Sequence, residues 1–400
     1  MDPITHALSG AVVARAIVPG DSCSPVSRTA RWALILGSIF PDIDIVANPF
    51  DPDHFATIRI HRSVTHSLVC LPVWAVLFGL LAAWFFRWRG IPSPRRTLLS
   101  VWFGVGIGLH ILFDCITSFG TMVWSPISWT RIQWDWTFII DLSLTGVLLF
   151  FLLLSWVAEP TQHAARRAVG MLALMSALVG LYALGSYTLA MPVSARAVAA
   201  VLVLAALPLI TTLIRPRVPL DARNWCRIGM LATAAYLGMN AWAHARALEQ
   251  LREYAAAEHL DVTEAVAVPL PPNLNLWHGF ARTTQDVHEW AFSLADPGAA
   301  PPAGSVIPIA SGDACPAVLW TIPQVRAWMH FSRIPIVVCG HAAGSDSAEF
   351  TDLRFARPPR RQNSARRRDA PISFTWRLHS IRTHFSAMQF ELAPSGYPGG

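Results

Sequence analysis

The sequence predicts a mainly α protein: a polytopic membrane helix bundle of about six spans, with short N-terminal re-entrant or interfacial helices and a small β-rich or α+β soluble domain at the C-terminus. Three observations predict it. Of 400 residues, 53% are hydrophobic and only 14% charged, against roughly a quarter charged in soluble domains. Apolar runs that approach the roughly 20 residues needed to cross a bilayer recur between residues 69 and 246. From residue 248 onward the pattern changes to short β-branched and aromatic runs separated by prolines.

In chain order, the first elements are two apolar pieces, "ITHALSGAVVARAIV" and "WALILGSIF". Each is too short to span alone and is expected to pack on the bundle as a re-entrant or interfacial helix. The candidate spans follow at residues 69–86, 98–116, 137–157, 168–189, 197–214 and 225–246. Arginine placement supports alternate sidedness, because basic residues collect in cytoplasmic loops. Arg87, Arg89, Arg95 and Arg96 separate the first two spans, Arg166 and Arg167 the third and fourth, and Arg215, Arg217 and Arg223 the last two. The opposite loops hold one arginine each, Arg131 and Arg196. This places residues 61–68, the loop 117–136 and the C-terminal region on the outer side. "LEQLREYAAAEH" extends the last helix, and "SVIPIA", "RIPIVVCG", "AEFTDLRFA" and "ISFTWRLHS" read as half-buried strands. "RPPRRQNSARRRD" reads as a solvated loop, "CGHAAGSDS" as a loop, and "APSGYPGG" as a disordered tail. The domains expected are 1–160, a membrane-embedded core; 161–247, further spans; 248–393, the soluble domain; and 394–400, the tail.

The net charge is +6, and every one of the 31 basic residues is arginine. They are scattered over loops and a C-terminal cluster instead of forming a basic face, so nucleic-acid binding is not expected. The six cysteines lack CxxC spacing, which argues against a thiolate zinc site. A bridge between Cys315 and Cys339 would need an oxidising compartment. The N-terminus "MDPITHALSG" opens on an acid and is read as retained instead of as a cleaved signal.

Ionisable residues at membrane depth are costly and call for an explanation. In "GLHILFDCITSFGT", His110 and Asp114 are four apart, which stacks both on one helical face. That arrangement serves a divalent metal or, equally, a buried hydrogen bond tying helices together. "GSIFPDIDIV" adds Asp42 and Asp44 beside the helix-stopping Pro41, and His6 projects from the first short helix with Asp2 or Thr5 as its cap. In "HRSVTHSL", His61 and His66 are five apart and would diverge by about 140° on a regular helix. Both reach one site only if a helix begins between them, with Ser63 or Thr65 as N-cap. Arg62 offers a charged fork for a phosphate or carboxylate. Trp124, Trp129, Trp134 and Trp136 place the loop 117–136 at the bilayer interface. In that region Asp135 reads as a solvated or capping carboxylate, and Asp141, inside an apolar run, needs a partner such as His110, an arginine or a metal. Thr117, Ser118 and Thr121 read as helix-end caps.

Four of these stretches, "MDPITHALSGA", "GSIFPDID", "HRSVTHSL" and "HILFDCITSFGT" in that order, resemble the YdjM-type family of membrane-bound, metal-dependent hydrolases over roughly residues 1–160. The resemblance implies a multi-pass protein of a bacterial-type inner membrane whose His and Asp motifs form a metal site. The motif order is also similar, more distantly, to zinc-dependent phospholipase C. Carried over by motif, the implied ligands are His6, Asp42, His61, His110 and Asp114, with His66 and Asp44 next. No second HxxxE-like pair follows Asp114, so one or two ions, zinc first, are implied in place of three.

Together these readings lead to an expected hydrolase. It would act on a phosphoester or lipid-linked substrate at the outer membrane surface, with metal ligands His6, Asp42, His61, His66, His110 and Asp114 and with Arg62 and Asp44 serving catalysis. Membrane lipids are the expected partners. Two alternatives from other classes are an ion or solute transporter using the same His and Asp groups and a noncatalytic, metal-stabilised membrane scaffold.

Overall fold

The structure is a computed structural model that describes residues 1–20, 24–50, 55–159, 163–188, 221–270, 275–295, 305–312, 315, 317–342, 345–355, 375–379 and 389–392. The expected span 197–214, the arginine-rich stretch 357–369 and the tail lie outside the described residues. Chain contacts gather into two compact units, one of residues 1–41, 70–110 and 140–236, the other of 42–69, 111–139 and 237–400.

In the first unit, the two short apolar pieces form helices α1 (Pro3–Ile17) and α2 (Pro25–Ile39). Each begins on a proline, whose missing N–H costs nothing at a helix start. Asp2 caps α1 by accepting from the Thr5 N–H at 2.9 Å. At 15 residues each, they reach about 22 Å, short of the hydrocarbon thickness. The long helices α4 (Leu71–Trp88) and α5 (Arg96–Cys115) match the first two expected spans. A short helix α3 (Ala56–Arg59) precedes them in the second unit.

Among the described residues, α4 and α5 are the two helices long and apolar enough to cross a membrane, so the six-span count stands at two. Only 11% of the α4 window is buried, and Val73, Trp84 and Trp88 are each about two-thirds exposed. A helix this apolar, with its surface uncovered, is suited to lipid and not to water. The third expected span becomes α6 (Leu142–Ala158), an apolar but shorter helix of 17 residues. The fourth becomes α7 (Ala164–Thr188), and the last becomes the long helix α8 (Ala222–Ala257), which runs on through "LEQLREYAAA" as expected.

Close helix approach in this unit depends on missing side chains. A Cβ on Gly106 of α5 would collide with the Leu34 carbonyl of α2, and one on Gly37 would strike Phe103. Small residues at such crossings let backbones meet where no hydrophobic force drives helices together in lipid. Asp141 finds its partner differently from the expectation. It caps α6, accepting from Ser143 N and Leu144 N at 2.9 and 3.0 Å, and accepts from the Tyr236 hydroxyl at 2.8 Å.

The second unit holds the β structure. Strands β1 (Glu264–Pro269), β2 (Leu276–Arg282), β3 (Asp286–Ser293) and β4 (Ser305–Pro308) form an antiparallel sheet in sequence order. Strands β5 (Ala310–Gly312), β6 (Pro335–Ala342), β7 (Ser345–Asp352), β8 (Thr375–His379) and β9 (Gln389–Leu392) form a second sheet, with β5 parallel to β6 and the rest antiparallel. The four expected strands fall on β4, β6, β7 and β8, and "CGHAAGSDS" is the meeting of β6 and β7, not a free loop.

The stripe Ala243, Ala247, Leu251 and Ala255, at intervals of four on α8, packs on Trp277, Ala281 and Trp290 of the first sheet. Helix α9 (Pro323–Phe331) covers the second sheet, and there Trp328, Phe350 and the Cys315–Cys339 disulfide share a core with Phe55 and Ile58. The segment leading into "HRSVTH" is therefore anchored in the C-terminal domain. Phe55 is 2% exposed, and Phe55→Ala is expected to cost about 3–5 kcal/mol from lost burial and cavity formation. Thermal melting in detergent should show it, whereas a surface change such as Glu253→Ala should not.

Candidate metal centre

The candidate site is built in the second unit from three pieces of chain. The first is a run of 3-10 turns, Phe40–Phe50, which presents Asp42 and Asp44. The second is "HRSVTH", and the third is the C-terminal turn of α5 with Asp114. No α-helix begins between the two histidines, but a short 3-10 helix does, with Ser63 at its N-cap position. Val64–His66 is a single 3-10 turn, Ser63 makes no side-chain cap, and α4 starts only at Leu71. The chain bends at Arg62, whose φ of 63° lies in the left-handed region that non-glycine residues rarely adopt. Hydrogen bonds on both sides hold that conformation. The Arg62 N–H donates to Asp44 Oδ2 at 3.0 Å, and its carbonyl accepts from Met122 N–H at 2.9 Å. The bend stands just ahead of this short turn, and both rings reach Asp44.

His66 is the hub. Its Nε2 lies 3.2 Å from Asp114 Oδ2 and 3.5 Å from Asp42 Oδ1, and its Nδ1 lies 3.3 Å from Asp44 Oδ2. His61 Nδ1 meets the other Asp44 oxygen at 2.8 Å. Thr65, proposed above as a cap, donates its hydroxyl to Asp44 Oδ2 at 3.0 Å. Arg62 is fully packed, with Nη2 3.1 Å from Asp114 Oδ1, Nη1 donating to the Thr117 hydroxyl at 2.9 Å, and the guanidinium over the Phe119 ring at 4.8 Å. Its Nε–H has no hydrogen-bond partner among the described residues.

The electrostatics follow from this crowding. Burial opposes a charge on His66, but the carboxylates of Asp114, Asp42 and Asp44 overcome it and push its pKa up to about 10. Burial would raise Asp44, yet hydrogen bonds from His61 and His66 hold it well below the usual carboxylate range. For His61 burial prevails over Asp44, and Arg62 and His66 add repulsion, so its pKa falls.

Ligand atoms of Asp42, His66 and Asp114 lie within 4.8 Å of one another, as do those of Asp44, His61 and His66. Imidazole nitrogen with carboxylate oxygen is a donor set suited to zinc and similar divalent ions. The residues present therefore fit a metal.

In the first unit, His6 of α1 and His110 of α5 are both fully buried and stack with ring centroids 3.6 Å apart. His110 Nδ1 lies 2.8 Å from the Ser38 carbonyl. The carbonyl can only accept, so Nδ1 donates that bond, the kind of second hydrogen bond that orients a metal-binding histidine. His110 shares its helix face with Asp114, one turn on, as the spacing predicts.

Several supporting residues carry no signal in the sequence. Arg131 donates to the carbonyls of Ile58, His61 and Gly120 at 2.7, 3.3 and 3.1 Å, between the rings of Phe119 and Phe331. Burial, with repulsion from Arg62 and Arg354, brings its pKa down to about 9. Arg354, from the C-terminal domain, donates to the Ser118 carbonyl and to Gln133 at 2.7 and 2.6 Å and pairs with Asp352. Asp135, read as solvated, is instead 2% exposed and paired with Arg333 at 2.8 Å.

Two apolar helices able to cross a membrane, with a buried His/Asp group able to hold a metal, define a membrane-protein class with a candidate metal centre. Residues 1–189, a span that contains all four stretches quoted above, match the YdjM inner membrane protein family. No curated protein and no solved structure matches the chain.

In metal-free protein the charge balance has a readable pH dependence. Above pH 6.5, the ordinary histidine value, His61 is neutral whether folded or unfolded, and Asp44 is ionised in both states. His66, however, keeps its proton in the fold up to about pH 10. The folded state therefore binds more protons, and stability should fall as pH rises from 6.5 toward 10. Melting in chelator across that range is expected to show the decline, and His66→Gln should flatten it.

Proposed function

We propose that this chain is a membrane-bound, metal-dependent hydrolase acting on a phosphoester, carried in or near the bilayer, at the outer face of the inner membrane. The observation that carries the reading is the convergence of three carboxylates and two imidazoles on one buried point, beside an arginine with an uncommitted N–H. A divalent ion held there would supply a water of lowered pKa and polarise a phosphoryl oxygen.

Asp42, His66 and Asp114 would hold such an ion, with His110 one turn away on α5 and Asp44 with His61 as a second set. Once His66 is neutral, the three carboxylates and Arg62 leave two negative charges, which a single divalent ion balances. A second ion would need the anionic oxygens of a substrate. Zinc suits the mixed imidazole and carboxylate donors. Arg62 would donate its Nε–H to a phosphoryl oxygen while its terminal nitrogens stay on Asp114 and Thr117. Asp44 already engages His61, Thr65, His66 and the Arg62 backbone, so its role is to position them and not to carry a proton.

Two observations support the outer location. Arg89 and Arg95 in the link between α4 and α5, with Arg87 and Arg96 on the adjoining helix ends, favour the cytoplasm at that end of the hairpin, and Leu71 and Cys115 would then lie at the other. The Cys315–Cys339 disulfide belongs to the unit that carries the three carboxylates, and disulfides persist in oxidising compartments.

Purified full-length protein is expected to carry at least about one divalent ion and to turn over a phosphodiester or phospholipid substrate with the metal-activated water of such sites. Asp42→Asn and His61→Gln, at the more open edge of the cluster, should each weaken metal binding about 10–100-fold. Metal content unchanged in a folded His110→Ala, Asp114→Ala double variant would overturn the reading. One observation favours a noncatalytic scaffold instead: a protonated His66 already balances much of the buried charge. Folded, metal-free protein with no turnover of any phosphoester would decide for it.

A further inference from the structure

Apart from the His/Asp cluster, the second unit contains a cleft of about 230 Å³, lined by Trp134, Asp135, Trp136, His244 and Arg333 among others. Its placement is fixed by the backbone. The N–H groups of Trp134 and Trp136 donate to the carbonyls of Cys115 and Ile116 at 2.8 and 2.9 Å, just beyond the end of α5. Asp135, between these two tryptophans in sequence, has φ 55°, and the two indole ring centroids are 4.8 Å apart.

One buried polar group that lines the cleft is not satisfied. Asp135 is 2% exposed, and while its Oδ2 pairs with Arg333 at 2.8 Å, its Oδ1 has no hydrogen-bond partner among the described residues. Buried acceptors in native proteins are normally satisfied, so this oxygen points to a donor from outside the chain.

The charge count selects the donor. Arg333 binds both Asp135, through Nη1, and Glu264, through Nε at 2.6 Å. Two carboxylates therefore share one guanidinium, leaving one negative charge beside two indole faces. The C-terminal end of α5 adds a partial negative charge. Indoles next to a carboxylate favour a compact organic cation.

We infer that this cleft binds an organic ammonium group. The ammonium would replace Arg333 Nη1 on Asp135, with Arg333 retained on Glu264, and would give an N–H donor to the unpartnered Asp135 Oδ1. A free amine and the headgroup of an aminophospholipid share this chemistry. The inference does not depend on a hydrolytic function.

The test uses full-length protein in detergent. Saturation-transfer NMR with ethanolamine is expected to show saturable binding that its neutral analogue ethylene glycol lacks, and native mass spectrometry should show phosphatidylethanolamine retained over phosphatidylglycerol if the headgroup is the source. Asp135→Asn suits the positive φ, because asparagine tolerates that region, and should weaken the binding at least about tenfold with melting nearly unchanged. Should that variant fail to fold, Glu264→Gln, on a half-exposed residue, removes the same surplus charge and should weaken binding several-fold. Either source supports the inference. Ethanolamine binding no better than ethylene glycol together with no preference for the aminophospholipid, or binding indifferent to both variants, would overturn it.

Discussion

The second unit depends on the placement of His66, one imidazole among three carboxylates. Burying three negative charges together is prohibitive unless cations compensate them. A proton on His66 and the fixed charge of Arg62 make the cluster tolerable, and a divalent ion would do so more completely. Everything around the ring follows from that need. The left-handed bend at Arg62 lets its guanidinium reach Asp114 while its backbone N–H reaches Asp44, and Thr65 adds its hydroxyl to the same carboxylate.

The C-terminal domain is part of this construction and not a separate appendage. Phe55 and Ile58, just ahead of the histidine strip, lie in the core beneath Trp328 and Phe350. Arg131 and Arg354 bind carbonyl oxygens of the strip and of the loop after Asp114. Both arginines stack on Phe331 of α9. The histidine strip, which has only a short 3-10 turn of its own, and the loop after Asp114 are thus held by guanidinium groups and by an aromatic core. This explains how irregular chain keeps a buried charged site in one geometry.

Some of this was legible beforehand. The positions of α4 and α5, the extension of α8, four strands and the shared face of His110 and Asp114 all follow from local periodicity. Other features were not. The family resemblance puts His66 after His61 among the implied ligands, whereas it is His66 that reaches three carboxylates. Asp135 and Asp141 read as a solvated carboxylate and a carboxylate seeking a cation, whereas one pairs with Arg333 and the other caps α6 and meets Tyr236. Strands β1, β2 and β3 were not singled out individually, although "EAVAVP" carries a β-rich pattern that could have marked the first.

Sequence by itself determined what repeats over a few residues: which stretches are apolar enough for lipid, where arginines gather between them, and that His110 and Asp114 face one way. Those features depend on the 3.6-residue turn and on transfer from water, both local in the chain. Only the tertiary structure decided that Asp42 and Asp44 meet His66 some twenty residues on, and that Arg354 holds Ser118 across more than two hundred. Such contacts join irregular loops through hydrogen bonds to backbone carbonyls, and every residue carries a carbonyl. No residue type or spacing therefore announces which one an arginine will find.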